Sequence, residues 1–372
     1  MPVYAETSST APAQSRSRPN SEPRSVARSG LTGALVCDGR LRPWFVVVLW
    51  LVLAGCAAAS VLAGRYGVTL SQVVTALWEY AGGREFSDPN VGSVLFGVRL
   101  PRTVLAIVVG SGLAVAGAAF QSVFSNPLAT PDTLGVAAGT SIGAVLALLL
   151  EWSLLGVQLL ALLFGLIAMA VTAAIARQRG RTSIVMLVLA GVIVSAIANA
   201  VISLLKLVAD PTSKLPEITY WLMGSMAGVG FDAIALGAPL IVLGSLTIYL
   251  LRWRLNVLAL SEDEARAAGL NLKVLRPVVI VSATVITASV VSMCGQVGWI
   301  GLLVPHCARM LVGNNNRVII PVSLLLGAIM MLLIDTLART ITASEIPISV
   351  LTALLGAPFF IVLLRRTGGN WR

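Results

Sequence analysis

Residues 154–176 read LLGVQLLALLFGLIAMAVTAAIA, and none of these side chains carries a charge. A helix of this length is about 35 Å long, which is enough to cross the roughly 30 Å hydrocarbon core of a bilayer. Backbone groups inside lipid must pair within the protein, so such a run forms a helix and not an isolated strand. The stretch therefore predicts a transmembrane helix.

Similar apolar runs occur along most of the chain. They lie near 43–63, 103–124, 135–150, 154–176, 183–208, 233–251, 277–293, 297–311, 318–338 and 346–364. The run at 297–311 is short, and the run at 135–150 is rich in glycine. The sequence predicts an all-α membrane protein with about ten transmembrane helices, in which 43–366 form the transmembrane domain.

The two ends of the chain differ from this domain. Residues 1–42 begin with a segment rich in serine, proline and arginine that has little to bury, and they are predicted to form a disordered tail. Residues 367–372 form a short C-terminal tail. Leu53–Cys56 resembles a lipoprotein cleavage box, but the long preceding tail and the many later spans argue against a cleaved signal peptide.

The distribution of charge predicts the orientation. The chain has 26 Lys and Arg against 16 Asp and Glu, a net charge of +10, while 57% of its residues are apolar. A basic soluble protein would suggest a nucleic-acid partner, but this chain is too apolar for that class. With both termini in the cytoplasm, 19 basic residues lie inside and 7 outside, as the positive-inside rule requires. A multi-pass protein of the cytoplasmic (inner) membrane is predicted, with no nucleic-acid partner.

The chain lacks the residues that several kinds of chemistry require. The three lysines follow Leu205, Ser213 and Leu272, so none belongs to the Gly-Lys pair of a phosphate-binding loop. A single histidine, His306, and four scattered cysteines predict no metal site and no directly bound cofactor. Asp335 is the main acid inside a span, which is little charge for an ion-coupled carrier. The sequence predicts a conduit that is not itself an enzyme and draws its energy from another chain.

The longest predicted cytoplasmic connection runs from Arg252 to Arg276. Ser261 and Glu264 have the spacing of a capping box, Glu262 and Arg266 can pair one turn apart, and Gly269 is placed to end a helix. These residues predict a short cytoplasmic helix between spans 6 and 7. It is either an ordinary solvated loop helix or a rigid contact for a motor subunit.

Several motifs resemble the FecCD family, the iron-siderophore and vitamin B12 class of ABC-importer permeases. The similarity covers about 45–366. The matching segments are Arg99–Thr103, Gln121–Gly135, Tyr220–Ser225, Leu258–Gly269, Gly298–His306, Asp335–Arg339, Glu345–Pro347 and Leu355–Phe360. Ser125, Ser261 and Ser349 depart from the residues usual at these positions, and the serine at 349 replaces a hinge-like glycine.

The resemblance implies an assembly. It implies two permease subunits (the same chain twice or a paralogue), two ATP-binding subunits that use ATP and Mg²⁺, and an extracytoplasmic substrate-binding protein. The predicted short helix would be the coupling helix that seats on the ATPase. Its residues are Ser261, Glu262, Asp263, Glu264, Ala265, Arg266, Ala267 and Gly269.

Three arginines on the predicted outer side have two interpretations. The resemblance implies that Arg99, Arg102 and Arg339 pair with acidic residues of the binding protein, as bidentate guanidinium groups can. Alternatively, the arginines extend toward the lipid headgroups. For Arg339, pairing with Asp335 one turn earlier is an equal possibility.

The pathway itself has a weaker signal. Ser195, Asn199 and Ser203 recur at i, i+4 and i+8 on the fifth span, which predicts either a polar stripe along a wet pathway or hydrogen bonds between helices. Gly110, Gly112 and Gly117 are typical of closely packed helices.

The function expected from these features is import of a ferric siderophore. Import of cobalamin or haem is the alternative within the family. A secondary carrier or an exporter is a different class, which would need no ATPase partner and no binding protein.

Overall fold

The computed structural model describes residues 30–178, 181–182, 184–260, 262–267, 269–342 and 344–367. The described chain is almost entirely helical, which confirms the predicted all-α class. Its apolar helices are α2 (Pro43–Leu62), α5 (Leu100–Val123), α6 (Val136–Leu149), α7 (Leu154–Ala176), α8 (Ile184–Val208), α10 (Phe231–Leu251), α12 (Leu272–Cys294), α13 (Ile300–Val312), α14 (Asn316–Thr340) and α15 (Ile348–Thr367).

The remaining elements are short. They are α1 (Gly30–Leu35), β1 (Val36–Cys37), β2 (Arg40–Leu41), α3 (Leu70–Ala81), α4 (Pro89–Val94), β3 (Arg177–Gln178), β4 (Arg181–Thr182), α9 (Lys214–Leu222) and α11 (Glu262–Ala267), with a π-helical segment at Leu95–Arg99 and 3-10 turns at Pro131–Leu134 and Arg254–Ala259.

Each predicted apolar run coincides with one apolar helix. In the described residues, seven helices are long and apolar enough to cross a membrane. The helices at the predicted runs 135–150, 297–311 and 346–364 have shorter apolar stretches. Because α6 and α13 have only 14 and 13 residues, they are about 20 Å long and shorter than the hydrocarbon core.

Three helices form the centre of the bundle. Between two thirds and four fifths of the apolar windows of α5, α12 and α14 are buried inside the chain, against about a quarter for α2, α7, α8 and α10. The outer helices expose many large apolar side chains, which suits contact with lipid. Other helices of the chain therefore surround α5, α12 and α14.

Glycines allow the central helices to approach closely, as the sequence predicts. A Cβ atom on Gly110 would lie 2.2 Å from the carbonyl oxygen of Gly327, and one on Gly117 would lie 1.8 Å from that of Gly301. Both distances are far below van der Waals contact. Helix α5 therefore packs backbone to backbone against α14 and α13, which is the geometry that small residues permit in membranes.

The predicted disordered tail of residues 1–42 is too long at its C-terminal end. Helix α1 and the β1–β2 hairpin occupy residues 30–41, and Leu35 and Val36 are buried in the main core. The hairpin turn places Asp38 and Gly39 at positive φ, as a two-residue type I′ turn requires. Residues 1–29 lie outside the described chain.

The second predicted span also begins earlier than expected. Helices α4 and α5 continue through the π-helical segment as one 35-residue apolar helix, Pro89–Val123. Pro101 lies at the first turn of α5 and directly after the π-helical residues. A proline is tolerated there because the widened turn has already interrupted the regular hydrogen-bond ladder. Arg99 and Arg102 are consequently part of a helix and do not precede it.

Candidate translocation pathway and coupling site

The Tyr220–Ser225 motif meets the end of α12 and the start of α15 at one place in the bundle. The backbone amide of Ser225 donates to the carbonyl of Cys294 (2.9 Å), and that of Ile348 donates to the carbonyl of Gly224 (3.0 Å). The Ser349 hydroxyl donates to the carbonyl of Met223 (2.6 Å). The serine that departs from the family pattern thus ties the start of α15 to the segment after α9.

A cavity of about 160 Å³ lies beside this junction. Its wall includes Leu113 from the middle of α5, Thr287 from α12, and Ser349 from α15. Asp132 also lines the cavity and lies in the 3-10 turn before α6. Trp299 lines it from the loop before α13. The cavity is therefore lined by residues from the central helices and from the loops that precede the two short helices.

In the predicted topology, the two loops come from opposite sides of the membrane. The turn with Asp132 follows α5 at the predicted cytoplasmic end, whereas Trp299 follows α12 at the predicted outer end. They reach one cavity because α6 and α13 are too short to extend from surface to surface. Irregular backbone at such depth is tolerated only inside protein or along a water-filled space. The cavity is therefore a candidate section of the pathway.

The loop before α13 is held in an unusual conformation. Trp299 has φ +65°, a left-handed value that a bulky residue rarely adopts. Its indole contacts the ring of Phe360 edge to face, with centroids 6.4 Å apart. A neighbouring side chain, Gln296, donates from Nε2 to the hydroxyl of Ser141 on α6 (3.0 Å). These contacts fix the cavity wall across α6, α13 and α15.

The polar residues predicted to line the pathway lie on α8 and are not among the residues that line this cavity. Asn199 and Ser203 are exposed, and Ser195 is half-buried. The Ser203 hydroxyl donates back to the carbonyl of Asn199 (2.8 Å), while the Asn199 amide has no hydrogen-bond partner within the described residues. The structure thus shows a polar stripe on the surface of one subunit, and its role stays a prediction.

The predicted coupling helix is present as α11. Its backbone includes Glu262, Asp263, Glu264, Ala265, Arg266 and Ala267. Gly269 follows with φ +74°, which fits the predicted helix end. Ser261 lies outside the described residues, so the capping box is not described; nor are the side chains of Glu262, Asp263 and Arg266.

Apolar contacts anchor this helix to the bundle. Ala265 is fully buried, and it belongs to the same core cluster as Leu255, Leu258 and Leu272. The amide of Leu270 donates to the carbonyl of Ala265 (3.0 Å), while Glu264 and Ala267 are exposed. One side of α11 is fixed to the body of the protein, and the other side faces outward.

A polar bridge links the same segment to a central helix. Asn256, in the 3-10 turn before α11, accepts a hydrogen bond through Oδ1 from the amide of Asn316 (2.8 Å) and donates from Nδ2 to Oδ1 of Asn315 (2.9 Å). Asn315 caps the first turn of α14 through the amide of Arg317. The Asn316 side chain in turn accepts from Ser122 near the end of α5 (3.0 Å). The start of α14 is therefore connected to the coupling segment and to α5.

The three arginines predicted to dock the binding protein belong to a buried network. Arg102 pairs with Asp335 and with Glu345, each at 2.7 Å. Arg339 lies 3.4 Å from the other oxygen of Asp335, as the alternative interpretation of Arg339 expected. Asp335 is fully buried, so these pairs form inside the protein.

Arg99 and Arg339 also satisfy the end of α2. Arg99 donates to the carbonyls of Val61 (2.8 Å) and Leu62 (3.0 Å), and Arg339 donates to that of Ala63 (2.6 Å) and to the hydroxyl of Ser60 (3.0 Å). The last carbonyls of a helix lack partners within it, and cations stabilise that end. Both arginines thus cap α2.

This geometry favours a supporting role for the three arginines, and direct docking stays a prediction. Arg99, Arg102 and Arg339 are only 3%, 4% and 9% exposed, and their guanidinium groups already have partners in the chain. Contact with an outside carboxylate would compete with these bonds. The arginines connect α2, α5, α14 and Glu345 at the predicted outer end.

Sequence reasoning missed three of the residues that build these sites. Asp132 lies inside a quoted motif, but nothing in its neighbours places it on a cavity. Glu345 precedes Ile346-Pro347 and reaches Arg102 from 243 positions away. Asn256 has no local signal, whereas the Asp38-Gly39 pair before a second short strand was a readable sign of the N-terminal hairpin.

Comparisons with known proteins agree with this architecture. Residues 51–366 match the FecCD transport family. The molybdate import permease MolB of Haemophilus influenzae is 40% identical over 88% of this chain and 98% of its own length. The cobalamin import permease BtuC of Halobacterium salinarum is 39% identical over 77% of each chain.

A solved structure supports the same conclusion. An inward-facing structure assigned to a metal-chelate type ABC transporter superposes with a TM-score of 0.79 at 38% identity, over 87% of this chain and all of that chain. The chain is thus a multi-pass membrane subunit of the permease type, and the permeases that it matches work with ATPase subunits. It belongs to the FecCD transport family.

Proposed function

We propose that this chain is the transmembrane permease of an ABC importer that moves a ferric siderophore across the cytoplasmic membrane. The observation that carries the proposal is the cavity between the central helices, together with a separate helix anchored for contact with a motor. Matched relatives include a probable iron chelatin permease of Helicobacter pylori, 37% identical, and the iron(3+)-hydroxamate permease FhuG of Bacillus subtilis, also 37% identical.

In this proposal each part has one task. A partner ATPase hydrolyses ATP and pushes on α11, and a substrate-binding protein delivers the chelate to the end of the bundle where α2 and α14 end. The buried Arg102–Asp335–Arg339 network supports that surface from beneath. A second permease subunit completes the pathway, so that the exposed stripe with Asn199 faces water between the two subunits.

Uptake measurements test the substrate. Cells lacking this chain should lose uptake of a radiolabelled ferric siderophore and regain it with the wild-type gene, while cobalamin, haem and molybdate uptake stay unchanged. Loss of cobalamin or haem uptake with ferric-siderophore uptake intact would establish the family's other substrate class. Unchanged uptake of every chelate would contradict the importer proposal.

A charge reversal tests the coupling helix. Glu262→Lys together with Glu264→Lys should abolish both ATPase assembly and uptake, because the net charge of α11 would change by four units. Glu85→Lys together with Glu151→Lys makes the same change at the predicted outer end and should leave assembly intact. Full assembly and uptake in the first pair would show that α11 is not the coupling helix.

A further inference from the structure

The cavity beside Trp299 contains a carboxylate without a counter-ion. Asp132 faces the cavity, and within the described residues it has no hydrogen bond or ion pair through its side chain. No other described residue lining the cavity from α5, α6, α12 or α15 is ionisable. Asp132 is exposed, so its carboxylate is open to a ligand that enters the cavity.

The position of Asp132 is fixed by the turn that carries it. The amide of Gly135 donates to the carbonyl of Asp132 (3.0 Å), and Gly135 adopts φ +76°. The Thr172 hydroxyl on α7 donates to the carbonyl of Leu134 (2.9 Å). On the other side, Gly191 of α8 packs so tightly that a Cβ atom would lie 2.0 Å from the carbonyl oxygen of Thr133. The backbone of the turn that carries Asp132 is therefore packed against α7 and α8.

A second polar residue of the wall, Gln296, also offers an acceptor. Gln296 uses its amide nitrogen on Ser141, so its Oε1 has no partner among the described residues. Trp299 adds the face of an indole, which attracts cations as well as apolar groups. Acceptor oxygens and an aromatic ring suit a ligand that presents hydrogen-bond donors or positive charge, and they repel a compact anion.

We propose that this cavity is a contact point for the substrate inside the permease, and that Asp132 selects there for chelates bearing hydrogen-bond donors or positive charge over compact oxyanions. The proposal rests on the proposed import function, whose substrate class it narrows. It predicts that this chain does not carry molybdate, although it is 40% identical to a molybdate import permease.

The cavity charge can be measured without transport. In the assembled transporter with the four native cysteines replaced by alanine, Ala137→Cys places a thiol in the cavity wall. A cationic methanethiosulfonate should react with this thiol faster than an anionic one, relative to their rates with a free thiol. Asp132→Asn should lower that ratio about tenfold. Asp232→Asn, an exposed acid in the first turn of α10, should leave it unchanged. An equal ratio in Asp132→Asn and its parent overturns the proposal.

Transport by the reconstituted complex provides the second measurement. A monocationic ferric hydroxamate should be taken up by the wild type and about tenfold more slowly by Asp132→Asn, while labelled molybdate stays at background. Uptake of molybdate by the wild type at a rate that Asp132→Asn does not change overturns the selectivity. Absence of all iron-chelate uptake, with the thiol ratio behaving as expected, overturns the proposed function and leaves the cation-selective cavity in place.

Discussion

At the scale of single residues, the arginines at the predicted outer end show what a sequence can and cannot say. The sequence reveals that several arginines lie on the predicted outer side. This is unusual, because the positive-inside rule places most basic residues in the cytoplasm. Their partners are not readable, since Asp335 and Glu345 lie 233 and 243 positions from Arg102. Only Asp335 and Arg339, one helical turn apart, had a spacing from which contact could be expected.

Removing one member of this network should destabilise the protein. Arg102→Ala would leave the buried Asp335 and the neighbouring Glu345 without their closest cation, which typically costs about 3–5 kcal/mol. Arg102→Leu combined with Asp335→Leu should recover more than half of that loss, because both charges are then gone. Thermal unfolding of the purified complex in detergent measures both effects.

The same variants distinguish support from docking. If Arg102 only supports the outer surface, affinity for the binding protein should fall in Arg102→Ala and recover in the double variant, in parallel with stability. If instead affinity falls while the unfolding temperature of Arg102→Ala equals that of the wild type, direct docking is correct and the supporting role is wrong.

At the scale of elements, apolar length was sufficient to locate every hydrophobic helix, because a buried or lipid-facing helix must be apolar over its whole length. Boundaries were less predictable. The apolar run predicted a helix start near residue 103, yet the π-helical residues 95–99 join α4 to α5 and the helix begins earlier. The shortness of α6 and α13 was visible in the sequence, but its consequence, two loops meeting in one cavity, depends on the packing of distant helices.

The contact between α5 and α14 allows a test of close packing. Gly110→Ala should cost about 1–3 kcal/mol of stability, since the added methyl group would overlap the backbone of Gly327. Gly97→Ala adds the same group in the π-helical segment, where no atom lies within 4 Å, and should have little effect. Thermal unfolding of the two variants compares them directly, and equal stabilities would contradict the packing account.

The bridge from Asn256 to α14 permits a test of mechanical coupling. Asn256→Ala should keep ATPase binding but lower the amount of substrate moved per ATP by about fivefold, within the usual range of coupling energies. Asn271→Ala removes a similar cap, from the first turn of α12 (Lys273 amide to Asn271 Oδ1, 3.0 Å), without a bridge to α14. Uptake and ATP hydrolysis measured in the same vesicles give the ratio. Equal ratios in both variants would show that the bridge only stabilises a helix end.

At the scale of the whole molecule, the described chain is one half of a conduit. Other helices of the chain surround its central helices. Helix α8, in contrast, exposes polar residues on one side and apolar residues on another. The sequence could identify the stripe at residues 195, 199 and 203 by its period, but it could not distinguish a wet pathway from a helix contact. That distinction depends on the second subunit, because a free amide facing lipid is costly.

The reactivity of introduced cysteines in the assembled transporter should show which side of α8 faces water. Asn199→Cys should react with a water-soluble, membrane-impermeant thiol reagent at least about tenfold faster than Ile197→Cys, because thiols react as thiolates and lipid suppresses ionisation. Both positions are exposed in the single chain, Ile197 by 59%, so accessibility within one subunit does not explain a difference. Slow reaction at both positions would place the stripe in a contact between helices, and fast reaction at both would place this whole side of α8 in water. Only the selective result places the Asn199 side of α8 along the substrate's route.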